Sequence, residues 1–148
     1  MTAGSPAAAE RLVGASPRLA DRALEIAFAA DPSLLERHGG DGLRLLLRDT
    51  QVLIDRLGLS LASGDPSFTR DWADQVAVLY RRRQVPMDDL IAIAEGLRKA
   101  SETVVPAAER SPLDDAIDQA VRVWGAYRRI AGDARKRNRL LQLIYKGA

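Results

Sequence analysis

The chain lacks cysteine altogether and has a single histidine, His38, among its 148 residues. The absence of cysteine excludes disulfides, thiolate metal ligands and a cysteine nucleophile. One histidine without cysteine also falls short of the ligand set of an ordinary zinc site. A haem ligand would need to lie on the apolar face of a helix, whereas His38 directly precedes Gly39 and Gly40. We therefore expect no metal and no cofactor, and a structural place for His38 at a helix end.

Long apolar runs are also missing. No run approaches the 18 residues that indicate a membrane span, and the first residues do not resemble a signal peptide. Apolar residues make up 47% and charged residues 28% of the chain, which is typical of a globular protein. We expect one cytoplasmic helical domain over residues 11–148, preceded by a flexible N-terminus over residues 1–10.

Signals for strands are weak, because no stretch shows sustained alternation of apolar and polar residues. The prolines instead indicate helices. Five of the seven follow a residue whose short oxygen side chain can cap a helix: Ser5, Ser16, Asp31, Asp65 and Ser111. A capping oxygen followed by proline is typical of a helix start, since proline lacks the amide that would stay unpaired there. The sequence therefore predicts an all-α, single-domain helical bundle.

Apolar residues recur at spacings of three and four, which predicts helices with one buried face. Predicted helices cover residues 6–13, 17–30, 32–37 and 42–62, and further helices begin at 66, 86 and 112. The third is expected to stop at His38, Gly39 and Gly40, which favour a helix end over a phosphate-binding loop. The last helix is predicted to be basic and to cover residues 112–146.

One aromatic stripe on the fifth predicted helix contains Phe68, Trp72, Val76 and Tyr80. A stripe with this spacing can line the ligand pocket of a helical sensor domain, and it can equally form part of the core. We expect Trp72 to be a core residue, and we keep the four positions as a candidate ligand pocket.

Two pairs of carboxylates, at residues 88–89 and 114–115, lie in the first turns of predicted helices. Their position is explained by the helix dipole, which favours negative charge there. The three arginines at residues 81–83 end a predicted helix, where cations are favoured for the same reason. Contact between these arginines and phosphate groups is the alternative.

The end of the chain is the most basic segment. Residues 119–148 contain eight basic residues and one acid, a net charge of +7, so the remainder carries −5 against a total of +2. An apolar seam with steps of three and four runs along the last helix from Ile117 through Ala120. Its further members are Trp124, Tyr127, Ala131, Ala134, Asn138, Leu141 and Tyr145. A single Asn on such a seam is a register device of two-stranded coiled coils, so these positions are a candidate interface with a partner or a second copy.

Residues 81–90, with the sequence RRRQVPMDDL, resemble the R-x-x-G-V-P-L-E-x-L joint of helical N-terminal domains in bacterial regulators. These are domains of the PucR and RsbR types, which are globin-like without haem, and similar helical modules precede cobalamin-binding domains. The resemblance covers about residues 17–105, and Gln84 stands where the pattern has glycine. It implies a globin-like bundle with a signalling function, and it identifies no ligand-binding residue.

We therefore expect a non-enzymatic regulatory or sensory domain that acts through protein–protein contact or self-association. Its partner would be a second copy, giving a homodimer, or a separate effector protein, because the chain contains no recognisable effector domain. The alternative is a nucleic-acid-associated protein that uses the basic C-terminal helix.

Overall fold

The computed structural model describes the backbone of residues 3–137 and the side chains of residues 3–128. Within these ranges the chain forms six α-helices and two short 3-10 turns, and it has no strand. The helices are α1 (Pro6–Gly14), α2 (Ser16–Ala30), α3 (Ser33–Ser63), α4 (Ser67–Arg82), α5 (Met87–Ala100) and α6 (Ser111–Arg137). The prediction of an all-α helical bundle is confirmed. The predicted continuation of the last helix to residue 146 lies outside the described residues.

The N-terminal segment differs from the expectation of a flexible stretch over residues 1–10. Helix α1 begins at Pro6, and Ala8 and Leu12 are fully buried. The amide of Ser5 donates a hydrogen bond to the carbonyl oxygen of Leu61 near the end of α3, at 2.8 Å. The small side chains of α1 let it lie close to α3 and bury its alanines, a tertiary effect that composition alone did not reveal.

Two of the five predicted helix caps are formed by aspartates. Asp31 accepts a hydrogen bond from the Ser33 amide at 3.1 Å, and Asp65 accepts one from the Ser67 amide at 2.9 Å. Bonds from Ser33 and Arg37 lower the pKa of Asp31, and the Ser67 amide lowers the pKa of Asp65. Helices α1 and α2 start without a side-chain cap bond, so proline alone marks those starts.

Gly39 interrupts the helical backbone of α3. Its φ of 63° and ψ of −174° are not helical, and the helix changes direction there before continuing to Ser63. Glycine adopts a positive φ without the steric cost that a side chain would add. The predicted stop at His38, Gly39 and Gly40 is therefore present as a kink between two helical stretches.

The joint between α4 and α5 contains the only non-glycine residue with positive φ among residues 3–137. Gln84 has a φ of 62°, in the left-handed region that costs an ordinary residue about 1–2 kcal/mol. It occupies the position where the regulator-type joint pattern has glycine. The next amide, that of Val85, donates to the carbonyl oxygen of Tyr80 at 2.9 Å and closes the turn.

Helices α2 and α5 pack closely against each other in the core. A β-carbon on Gly96 would lie 2.5 Å from the carbonyl oxygen of Ala23, so only glycine permits this approach. Arg98 then joins α5 to α6, because it donates to Asp114 at 3.0 Å and to Asp118 at 2.5 Å. Asp114 thus contributes an ion pair between helices as well as the expected charge in a first turn.

The aromatic stripe of α4 is divided between core and surface. Tyr80 and Val76 are buried, Trp72 is half-buried, and the Phe68 side chain is exposed. The fully buried indole is that of Trp124 on α6, which is 1% exposed. Trp72 packs against the core while part of its side chain stays accessible, so the expectation that it is a core residue holds only in part.

Because the two tryptophans differ in burial, their replacement by alanine should lower the free energy of unfolding by different amounts. Trp124→Ala should lower the free energy of unfolding by about 3–5 kcal/mol, as truncation of a large buried aromatic does. Trp72→Ala should lower it by about 1–2 kcal/mol, because part of its side chain already contacts solvent. Urea-induced unfolding followed by far-ultraviolet circular dichroism measures both values. A larger loss for Trp72→Ala than for Trp124→Ala would contradict this assignment of the core.

Candidate functional site

Helices α3 and α4 run antiparallel, and two hydrogen bonds between their side chains set the register. The Ser60 and Thr69 hydroxyls, both buried, lie 2.9 Å apart near the turn that joins the helices. Farther from the turn, the Tyr80 hydroxyl donates to Asp49 at 2.5 Å. Both pairs have the same register, which places residue 48 level with the last turn of α4 and residue 52 level with Ala77, next to Val76.

A cleft of about 340 Å³ lies between these helices, and we call it the α3–α4 cleft. It is lined by Arg48, Asp49, Val52, Trp72, Gln75, Val76, Leu79, Tyr80, Arg82 and Arg83. Three of the four predicted pocket residues belong to this lining, and Phe68 does not. The polar lining residues come from α3 and from the end of α4, and locating them required the register between the helices.

One end of the α3–α4 cleft is cationic. Arg48, Arg82 and Arg83 are exposed there, whereas Asp49 is the only acidic residue of the lining. Asp49 already accepts the Tyr80 hydroxyl and lies 3.5 Å from Arg48. The Asp49 carboxylate is therefore already bound to Tyr80 and close to Arg48, and this end of the cleft keeps an excess of positive charge.

Tyr80 lines the cleft beside its cationic end. Burial and the hydrogen bond to Asp49 raise the pKa of its hydroxyl, so the group stays protonated and acts as a donor at neutral pH. The guanidinium carbon of Arg83 lies 5.4 Å from the centre of the Tyr80 ring, within the range of a cation–π contact. The ring thus holds Arg83 beside the cleft.

The other end of the cleft is apolar, and Trp72 connects it to α6. Val52 and Val76 line this end with the Trp72 ring. The rings of Trp72 and Trp124 meet edge to face, with 6.5 Å between their centres and an angle of 76°, a favourable aromatic geometry. The Trp124 indole also donates to the carbonyl oxygen of Ala73 at 3.0 Å. A single side chain therefore lies between the cleft and the last helix.

Beyond Ala120, the structure describes the side chains of two candidate interface residues on α6, Trp124 and Tyr127. Trp124 is buried within its own chain, so it offers no surface to a partner, and its place in the predicted interface was wrong. Tyr127 is half-buried, and its hydroxyl donates to Asp74 at 2.8 Å. Arg81 stacks 5.5 Å from the centre of the Tyr127 ring.

The remaining interface positions are not all described. Ala131 and Ala134 lie on the helical backbone of α6, but their side chains are outside the described side chains. Asn138, Leu141 and Tyr145 lie outside the described residues. The seam beyond Tyr127 therefore stays a prediction.

A buried carboxylate, which the sequence reasoning missed, joins α3 to α5. Asp89 is 1% exposed and accepts a hydrogen bond from Arg37 at 2.6 Å. The Nε2 atom of His38 lies 2.9 Å from the other carboxylate oxygen, and the His38 side chain is 6% exposed. Arg37 also donates to Asp31 at 2.9 Å. We call these four residues the Asp89 cluster.

The Asp89 cluster gives His38 and Asp89 more specific places than the sequence did. His38 lies just before the kink at Gly39, and its ring binds Asp89 in the interior. Asp89 does not act through the helix dipole alone, whereas its neighbour Asp88 is exposed and pairs with Arg128 at 2.7 Å. Asp89 precedes the buried Ile93 by four residues, and this spacing could have predicted a buried carboxylate that needs a cation.

No group of three or more histidine, aspartate or glutamate side chains is arranged to hold a metal ion within the described part of the chain. In the same part, no helix is both long and apolar enough to cross a membrane. Comparisons of the chain with protein-family models, with curated proteins and with solved structures found no match.

The two adjacent aspartates of α5 provide a matched test of the Asp89 cluster. Asp89→Asn should lower the free energy of unfolding by about 2–3 kcal/mol, because it removes the buried charge that pairs with Arg37. Asp88→Asn should change it by less than about 0.5 kcal/mol, as expected for an exposed ion pair. Urea unfolding at neutral pH measures both, and equal losses for the two variants would contradict the burial of Asp89.

Proposed function

We propose that this chain is a non-enzymatic regulatory domain that acts through contact with a second copy or with a partner protein. In this proposal the α3–α4 cleft receives the input and α6, with the segment after it, provides the contact surface. The observation that carries the proposal is the contact between Trp72 and Trp124. It joins a residue of the cleft lining to the last buried residue of α6 among the described side chains.

The course of α6 supports a contact surface at its end. Its first half is buried at positions that include Leu113, Ile117 and Trp124. Residues 125–128 are half-buried or exposed, and the helical backbone continues to Arg137. The part after Trp124 is about 20 Å long at 1.5 Å per residue. In this proposal the backbone of residues 125–137 extends the helix beyond its last described buried residue and pairs with another helix along the predicted seam.

The charge of this segment distinguishes self-association from nucleic-acid binding. Two copies of a basic helix repel each other, and salt screens that repulsion over a distance of about 8 Å at physiological ionic strength. Self-association should therefore strengthen as salt rises. Nucleic-acid binding, which the cluster of basic residues from Arg128 onward would favour, should weaken, because salt opposes the release of counterions from phosphates.

Light scattering on the full chain tests the proposal. The mass should increase towards that of a dimer as salt is raised. Leu141→Glu places a charge on the predicted seam and should return the chain to a monomer. The matched control Leu140→Glu has the same change of charge off the seam and should leave the mass of the assembly unaltered.

Two results would count against self-association. One is a monomer at every salt concentration, and the other is an equal effect of Leu140→Glu and Leu141→Glu. Retention of the chain on single-stranded or duplex nucleic acid at low salt, with release at high salt, would instead favour the alternative function.

A further inference from the structure

We propose that the α3–α4 cleft binds a small aromatic carboxylate. The proposal deepens the proposed function, on which it rests for its regulatory meaning, by naming the chemical class of the input. The cationic end of the cleft is not part of the bundle core, since its arginines are exposed, whereas Val76 at the apolar end is a buried core residue.

The cationic end favours the binding of an anion. Three guanidinium groups, those of Arg48, Arg82 and Arg83, surround it. The carboxylate of Asp49 is bound to Tyr80, so it does not satisfy all three. Arginine binds a carboxylate through paired hydrogen bonds that lysine cannot reproduce. With three arginines and one aspartate this end carries an excess of two positive charges, and a single carboxylate would offset one of them.

The apolar end favours the binding of a flat aromatic ring. The half-buried Trp72 ring and the side chains of Val52 and Val76 provide an apolar wall. Leu79 is 55% exposed beside the cleft and would be covered by a ligand. Because Val52 follows Arg48 by four residues on α3, this part of the wall lies about one helical turn, or roughly 6 Å, from the cationic end. A two-ring acid has its carboxylate and its ring at a comparable separation.

The size and the charge of the cleft favour a small molecule over the chain's own end. A volume of about 340 Å³ lies at the small end of the range of about 300–1,000 Å³ that is typical of ligand sites. Residues 138–148 carry Arg139 and Lys146 and have no acidic residue. That segment would therefore bring further positive charge to an end that is already cationic.

Calorimetric titration of the full chain with 2-naphthoate tests the proposal. We expect saturable binding of one molecule per chain, and the neutral analogue 2-naphthamide should bind about tenfold more weakly or not at all. Octanoate, which has the charge without the ring, should also bind more weakly. Equal affinity for octanoate and 2-naphthoate would overturn the aromatic part of the assignment.

Adjacent arginines of α4 provide the matched variants. Arg82→Gln removes a cation of the lining and should weaken 2-naphthoate binding about tenfold. Arg81→Gln makes the same change one residue earlier, where the side chain stacks on Tyr127 outside the lining, and should leave the affinity within about twofold. Both positions are exposed, and thermal melts will show that both variants fold.

The proposal fails if 2-naphthoate does not bind, or if the two variants weaken binding equally. This outcome is separable from failure of the proposed function, because calorimetry reports occupation of the cleft and light scattering reports self-association. A chain that associates without binding 2-naphthoate would keep the contact function and lose this ligand class.

Discussion

The position of Trp124 is the constraint on which the rest of this structure depends. Its indole is fully buried, donates to the Ala73 carbonyl of α4 and packs edge to face against Trp72. These contacts hold α4 against α6, and the opposite side of α4 forms one wall of the α3–α4 cleft. Since a buried Trp N–H needs a hydrogen-bond partner, the bond to Ala73 helps to fix the depth at which α6 packs against α4, together with the bond from Tyr127 to Asp74.

The arginines discussed above form two groups: those that pair with an acid on another helix, and those at the cationic end of the cleft. Arg37 binds the buried Asp89, and Arg98 binds acids of α6, so both join helices. Those at the cationic end of the cleft are exposed and have one engaged carboxylate among them. Burying a charge without a partner is costly, which explains why the buried Asp89 has Arg37 as a close partner. The arginines of the cationic end have no fully buried acid to neutralise in the described lining of the cleft, and they can bind a ligand.

Sequence periodicity and proline positions were sufficient to predict an all-α bundle and most helix starts, because both depend on local backbone chemistry. It was harder to predict from the sequence which residues of each apolar stripe are buried most deeply. Trp72 and Trp124 both lie on apolar stripes, and only the packing of α6 decides which is core. Asp89 and the cleft arginines depend on contacts between residues distant in sequence, such as Arg37 with Asp89. Single-residue patterns do not contain that information.

If the two tryptophans couple the cleft to α6, occupation of the cleft must change self-association, and self-association must change the affinity of the cleft to the same extent. Sedimentation equilibrium of the full chain at a fixed salt concentration, over a series of 2-naphthoate concentrations, measures this linkage directly. We predict an association constant that shifts as the cleft fills, and a smaller shift in Trp72→Phe. An association constant that stays unchanged while calorimetry shows the cleft to be saturated would contradict the coupling.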